Sequence, residues 1–193
     1  MTYIPEDYYF RRAKKEGFLA RSVYKLQAID EKYHLLKKGM WVVDLGAAPG
    51  SWSQYVLAKV GPEGKVFAID IQPIKLSAPN LHAYLLDVFS QEVEALLASA
   101  SFDGLLSDMA PATTGSRLAD QARSAALVAR SLFLAEKYLR PNGFWVAKLL
   151  EGPAREELTQ KARTIFQTVH VFRPPATRKG SSECFLIGLK KRP

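Results

Sequence analysis

The sequence has one cysteine, Cys184, and three histidines, His34, His82 and His170. A single thiol closes no internal disulfide and builds no cysteine-based zinc cluster. The histidines lack paired spacing, so no metal site is expected. Apolar stretches such as 143–150 fall far short of the ~18 residues that suggest a membrane helix. The opening MTYIPEDYYFRR has no apolar signal core, and Glu6 and Asp7 argue against an acid-poor transit peptide. The expectation is a cytoplasmic protein without membrane association. Nothing repeats internally, and no low-complexity stretch marks a linker.

What remains is ordinary globular material. Hydrophobic residues make up 48% and charged residues 24% of 193 positions. That is enough for one domain, 1–193, with its own core. The net charge of +8 and pI near 9.6 suit a polyanionic partner. The charge is unevenly spread: residues 1–40 hold nine Lys/Arg and five Asp/Glu, residues 41–110 three and eight, and residues 111–193 fifteen and six. An acidic centre thus lies between basic flanks. The flanks include Arg11, Arg12, Lys14 and Lys15, then Arg173, Arg178, Lys179, Lys190, Lys191 and Arg192, and aromatics interleave the first cluster. The pattern predicts a small cationic or ribose-bearing ligand at the centre and nucleic acid on the flanks.

Residues 1–40 read as a basic helical extension, with a helix from Pro5 to about Glu16 and a second capped by Ser22 and ending near His34. Strands then read at 41–45, 65–70, 82–86, 103–108 and 143–149, and helices at 53–59, 91–98, 119–139 and 154–166. Two closing strands, 168–172 and 183–189, suggest an antiparallel pair. Alternating strands and helices predict an α/β fold, a mostly parallel sheet covered on both faces, with ligands at the carboxyl ends of the strands.

The sharpest local pattern is Val42-Val43-Asp44-Leu45-Gly46-Ala47-Ala48-Pro49-Gly50-Ser51-Trp52, running from a strand into a helix. A dinucleotide loop would read G-x-G-x-x-G and present a helix N-terminus to phosphate. Here the glycines stand at 46 and 50, and Asp44 would repel phosphate. The loop suits a cationic ligand without phosphate, and S-adenosylmethionine fits. Asp70, 26 residues after Asp44 at the next strand end, can accept both hydroxyls of a ribose. Asp87 follows the third strand and can meet an adenine amino group. A cap or solubilising role is the bland alternative for each aspartate, but three acids at successive strand ends favour a site.

The chain also contains Arg21-Ser22-Val23-Tyr24-Lys25-Leu26, Ser107-Asp108-Met109-Ala110-Pro111, Trp145-Val146-Ala147-Lys148 and Ser181-Ser182-Glu183. With the Asp44–Gly50 loop, these motifs resemble the FtsJ-type 2′-O-ribose RNA methyltransferases over nearly the whole chain, in particular the bacterial type acting on 23S rRNA. The resemblance implies a Rossmann-like class I S-adenosylmethionine-dependent fold, a seven-stranded sheet with an antiparallel last strand. It implies a Lys–Asp–Lys–Glu catalytic set at Lys25, Asp108, Lys148 and Glu183, and cofactor contacts at Gly50, Trp52, Asp70, Asp87 and Asp108, beside Asp44 and Gly46 from the loop. Ser51 stands where bacterial members usually have a second glycine, and Cys184-Phe185 replaces a valine-aromatic pair; a buried lone cysteine is packing.

Methyl transfer to a ribose hydroxyl is an in-line displacement from an activated sulfonium, so alignment and handling of the hydroxyl proton are what the protein must add. The resemblance gives Lys148 that task, as a neutral base or as a charged stabiliser of the developing alkoxide. Lys25 and Glu183 would hold the target ribose and phosphate, or form a structural ion pair. Residues 109–115 read as a mobile loop over the site. The expected product is a 2′-O-methylated uridine of 23S rRNA, made by a monomer on the large subunit. Methylation of tRNA, a non-catalytic RNA-binding role in ribosome assembly, and an NAD-dependent oxidoreductase are the competing readings. The complete Lys–Asp–Lys–Glu set and the glycine spacing weigh against the last two.

Overall fold

A computed structural model describes residues 8–178 and 180–193. The expected helix start at Pro5, with Glu6 and Asp7, and Lys179 of the basic flank lie outside the described residues. Helices α1 (Tyr8–Glu16) and α2 (Val23–Tyr33) come first. They are followed by β1 (Trp41–Leu45), α3 (Ser51–Val60), β2 (Lys65–Asp70), β3 (Leu81–Leu85), α4 (Gln91–Ala98) and β4 (Phe102–Ser107). The chain continues through α5 (Arg117–Tyr138), β5 (Leu139–Leu150), α6 (Ala154–Ile165), β6 (Phe166–Phe172) and β7 (Glu183–Lys191).

The seven strands form one sheet in the order β3-β2-β1-β4-β5-β7-β6. Strands β1 to β5 pair in parallel, and β7 runs antiparallel to both its neighbours, β5 and β6. The order reverses at β1, which lies between β2 and β4, so a crevice opens at the carboxyl ends of β1 and β4.

Strand alternation sorts the core into two halves. Val43, Leu45, Leu105, Trp145, Ala147 and Leu149 pack in the cluster with residues of α4, α5 and α6. Val42, Leu106, Phe144, Val146, Phe185 and Ile187 pack in the cluster with residues of α2 and α3. Asp44, Lys148 and Glu183 share the parity of the second set and therefore belong to the α2/α3 face.

Three expectations are corrected. Ser22 does not cap α2: its backbone is already helical and its side chain makes no cap bond. Its hydroxyl pairs instead with that of Ser51, 2.9 Å away, a tertiary partner that displaces the local one. Helix α5 starts earlier than 119 because Ser116 serves as its N-cap. Strand β5 starts at Leu139, not near 143, because Leu139 is already extended and pairs with Phe102, with a register shift before Gly104.

Candidate active site

The loop after β1 turns at Gly46 (φ 73°), where a Cβ would stand 2.7 Å from Met109 Cγ and 2.9 Å from its Cα. Only a glycine lets this loop approach the segment after β4 so closely. Between them lies a pocket of about 390 Å³, lined in part by Gly46, Asp70, Asp87, Phe89, Asp108 and Met109. Asp70 is held by two backbone donors, Ala48 N–H to Oδ2 (2.9 Å) and Gln72 N–H to Oδ1 (2.8 Å). A carboxylate offers about four lone-pair sites, so each oxygen can accept again. Asp87 Oδ1 accepts from Phe89 N–H at 2.9 Å. Residues 109–115 border the pocket at Met109 and Ala110, and Thr114 ties the far end through Asp120.

Asp44 lies fully buried beneath the loop and off the pocket wall. Ser53 Oγ donates to its Oδ2 at 2.6 Å, while Oδ1 is buried without a hydrogen-bond partner among the described residues. Burial pushes the carboxyl up to about 7, against the Ser53 bond and with the Asp108 and Asp70 charges adding to the rise. A buried acceptor lacking a donor fits a ligand ammonium, directly or through a water. Together with Asp70 and Asp87, this set of acceptors fits the ammonium, ribose hydroxyls and adenine amino group of S-adenosylmethionine.

Gly50 and Trp52 lie off this pocket. Gly50 heads α3 in the left-handed region (φ 119°). The Trp52 side chain is engaged within the protein. Its indole N–H donates to Ser22 O (2.9 Å), and its ring packs 5.9 Å from Phe185. The Trp52 backbone N–H, in the first turn of α3, has no acceptor within the helix.

The other candidates form two ion pairs. Lys148 Nζ lies 2.9 Å from Asp108 Oδ1, and Lys25 Nζ lies 2.7 Å from Glu183 Oε1. All four side chains are largely buried, at 10–14% exposure. Across β5 and β7, Lys148 pairs with Phe185 and Leu150 with Glu183, so Lys148 and Glu183 are diagonal neighbours on one face. Lys25 Nζ stands 6.0 Å from the centre of the Phe185 ring. Phe185 is thus an apolar floor shared by Lys25, Lys148 and Trp52. Sequence reasoning passed over it, and over Ser53 and the Ser22–Ser51 pair, because no local pattern marks them.

The model of the family described as FtsJ-like methyltransferase matches residues 18–191. The chain belongs to this family. Among FtsJ-like relatives, the ribosomal RNA large subunit methyltransferase E of Bdellovibrio bacteriovorus is 41% identical over 196 residues, covering 100% of both chains. That of Syntrophobacter fumaroxidans is 45% identical, covering 100% of this chain and 99% of its own. A solved ribosomal RNA methyltransferase from Plasmodium falciparum superposes with a TM-score of 0.79 at 25% identity, over 90% of this chain and 98% of that one. Fibrillarin from Aeropyrum pernix, solved with natively bound S-adenosyl-L-methionine, shares the fold at TM-score 0.58 and 16% identity, over 87% of this chain and 76% of that one.

Among the described residues no group of three or more His, Cys, Asp or Glu side chains is arranged to hold a metal ion. No described helix is long and apolar enough to cross a membrane. Cys184 is buried, and burial pushes its thiol up to about 11, the range of an inert packing residue.

Proposed function

We infer that this FtsJ-like methyltransferase transfers a methyl group to a ribose 2′-hydroxyl of large-subunit ribosomal RNA, a uridine of 23S rRNA. The observation that carries the reading is the meeting of Lys148–Asp108 and Lys25–Glu183 on one sheet face, at the rim of the pocket that Asp108 also lines. The names of the full-length relatives support the choice of ribosomal RNA.

S-adenosylmethionine supplies the activated methyl group. Asp70 and Asp87 would hold its nucleoside half, and Asp44, Gly46 and the first turn of α3 its amino-acid half. Lys148 donates to two acceptors of one residue, the Asp108 carboxylate and the Asp108 carbonyl (2.6 Å). Held so, it serves as an ammonium that stabilises the alkoxide forming on the ribose, while the hydroxyl proton leaves to solvent. Lys25 and Glu183 orient the sugar. The enzyme acts as a monomer in the cytoplasm, on rRNA within the large subunit.

The test is methylation of large subunits from a strain lacking the gene, with tritiated S-adenosylmethionine and nucleotide mapping of the label. A single labelled uridine in 23S rRNA is expected. Label on tRNA alone, or none on any RNA, overturns the reading.

A further inference from the structure

One wall of the pocket beside Gly46 is made of neither strand nor helix. Residues 86–90 join β3 to α4, and Leu86, Asp87, Val88 and Phe89 line the pocket. Two local bonds close this turn: Ser90 N–H donates to Asp87 O and Phe89 N–H to Asp87 Oδ1, both at 2.9 Å. Such bonds set the shape of a turn but not its place on the sheet. Its placement depends on partners that the remaining backbone groups find outside the turn.

Arg130 of α5 supplies those partners. Its Nε donates to Val88 O at 2.8 Å, its Nη2 to Ser90 O at 3.4 Å, and its Nη1 to Glu94 Oε1 of α4 at 2.9 Å. One guanidinium thus grips the turn on both sides of Phe89, from a helix position 36 to 42 residues further along the chain. The side chain is 13% exposed. Leu127, one turn earlier on α5, lines the same pocket, so the helix that holds the turn also forms part of the wall. A bond between α4 and α5 alone would need only the Glu94 pair, which Lys137 already reinforces at 2.9 Å on Oε2. Two of the three Arg130 contacts go instead to carbonyls of the turn. The rigid fork of a guanidinium can serve all three acceptors at once, which a single ammonium nitrogen on a flexible stem cannot do in a fixed geometry.

We propose that Arg130 is a positioning residue for purine selection: by holding the Val88 and Ser90 carbonyls, it fixes the direction in which the Asp87 carboxylate meets the 6-amino group of the cofactor's adenine. The proposal rests on the reading of Asp87 as a contact of the nucleoside half. It adds the residue on which the selectivity of that contact depends. Asp87 is flanked by the held turn, so a shift of residues 88–90 carries its carboxylate with it.

The experiment measures, by calorimetry, the affinities of S-adenosylhomocysteine and S-inosylhomocysteine, in which a carbonyl replaces the 6-amino group. The full-length wild type is compared with Arg130→Met, Arg130→Lys and Glu94→Gln. The wild type is expected to prefer the adenosyl ligand by at least about tenfold, because a carboxylate accepts from an amino group and rejects a carbonyl oxygen. Arg130→Met should lose about tenfold in affinity for the adenosyl ligand and less than about twofold for the inosyl one, so the preference collapses. Arg130→Lys keeps a charge beside Glu94 but not the fork; it should melt near the wild type and still lose part of the preference. Glu94→Gln leaves the bonds to Val88 and Ser90 in place, and should lower the melting temperature while keeping the preference. Equal losses for both ligands in Arg130→Met, or a preference lost as fully in Glu94→Gln, mark a purely structural tie and overturn the proposal. A preference retained in both Arg130 variants refutes the role of Arg130 alone. A wild type that binds the two ligands alike refutes the Asp87 contact, and the proposal with it. Binding is read without turnover, so none of these outcomes depends on which RNA is methylated.

Discussion

Lys148 reaches Asp108 twice, placing its ammonium 2.9 Å from the carboxylate and 2.6 Å from the backbone carbonyl of the same residue. The side chain is therefore fixed against the turn that follows β4, where the pocket begins. Asp108 in turn is anchored by its N–H to Leu45 O, 3.2 Å away on β1. The lysine, the pocket wall and the loop after β1 form one connected unit.

Removing the ammonium should cost the chemical step and spare ligand binding. Lys148→Ala is expected to lower the single-turnover methylation rate by roughly 10²–10³-fold, the scale of losing one electrostatic stabiliser. Calorimetry should show S-adenosylmethionine bound as before. Lys148→Arg, which cannot shed its proton, should retain activity clearly above Lys148→Ala. Equal inactivity of the two, with a wild-type rate that climbs as lysine deprotonates, would identify a neutral base instead.

Asp44 makes stability and ligand affinity depend on pH. Its folded carboxyl is raised to about 7, against about 4 in an unfolded chain, so the folded state holds the extra proton. Its stabilising contribution is complete below about pH 4 and is lost as pH rises through about 7. Thermal melts of the ligand-free protein should show that decline, and Asp44→Asn should flatten it. Because an ammonium ligand favours the charged carboxylate, S-adenosylmethionine affinity should rise from pH 6 to pH 8 in the wild type and much less in the variant.

The Ser22–Ser51 hydroxyl pair joins the turn before α2 to the first residue of α3. Ser51→Ala should cost about 1 kcal/mol, a typical net hydrogen bond, or about 2–4 °C in melting temperature for a chain of this size. A double-mutant cycle with Ser22→Ala checks the pairing: additive losses would show that the two hydroxyls do not depend on each other.

Gly46→Ala should be far more damaging than its one methyl group suggests. The added carbon meets Met109 Cα at 2.9 Å, a backbone atom that cannot swing aside, and the residue sits at φ 73°. We expect a stability loss of about 1–3 kcal/mol and at least a tenfold loss of S-adenosylmethionine affinity by calorimetry. A variant with native affinity would show that the loop approach is not needed for binding.

Much of the site was legible because strand alternation is local. Asp44, Lys148 and Glu183 sit at the positions that face α2 and α3, and runs such as Val42-Val43-Asp44 and Trp145-Val146-Ala147-Lys148 show apolar strands ending in charge. Asp70, the last residue of β2, and Asp87, just past β3, line the pocket, whereas Asp44 within β1 is buried behind it. Long-range partners left no such trace. Ser22 carries the signature of a helix cap, and only the folded chain brings Ser51 to it. Trp52 follows the glycine loop, and no local pattern shows that its indole is held by Ser22 O and packed on Phe185. The early start of β5 depends on Phe102, a partner 37 positions before Leu139, which no short window contains.

The place of β7 has a consequence for the order of assembly during vectorial synthesis. Strands β1 to β5 can associate as the chain emerges, since their partners are all made by residue 150. Strand β6 cannot join them, because its sheet neighbour β7 is translated after it and must slot between β5 and β6. Glu183 is the first residue of that late strand. The Lys25–Glu183 pair therefore closes only when the sheet is finished, and a nascent chain still short of β7 carries Lys148 and Asp108 but not the partner of Lys25.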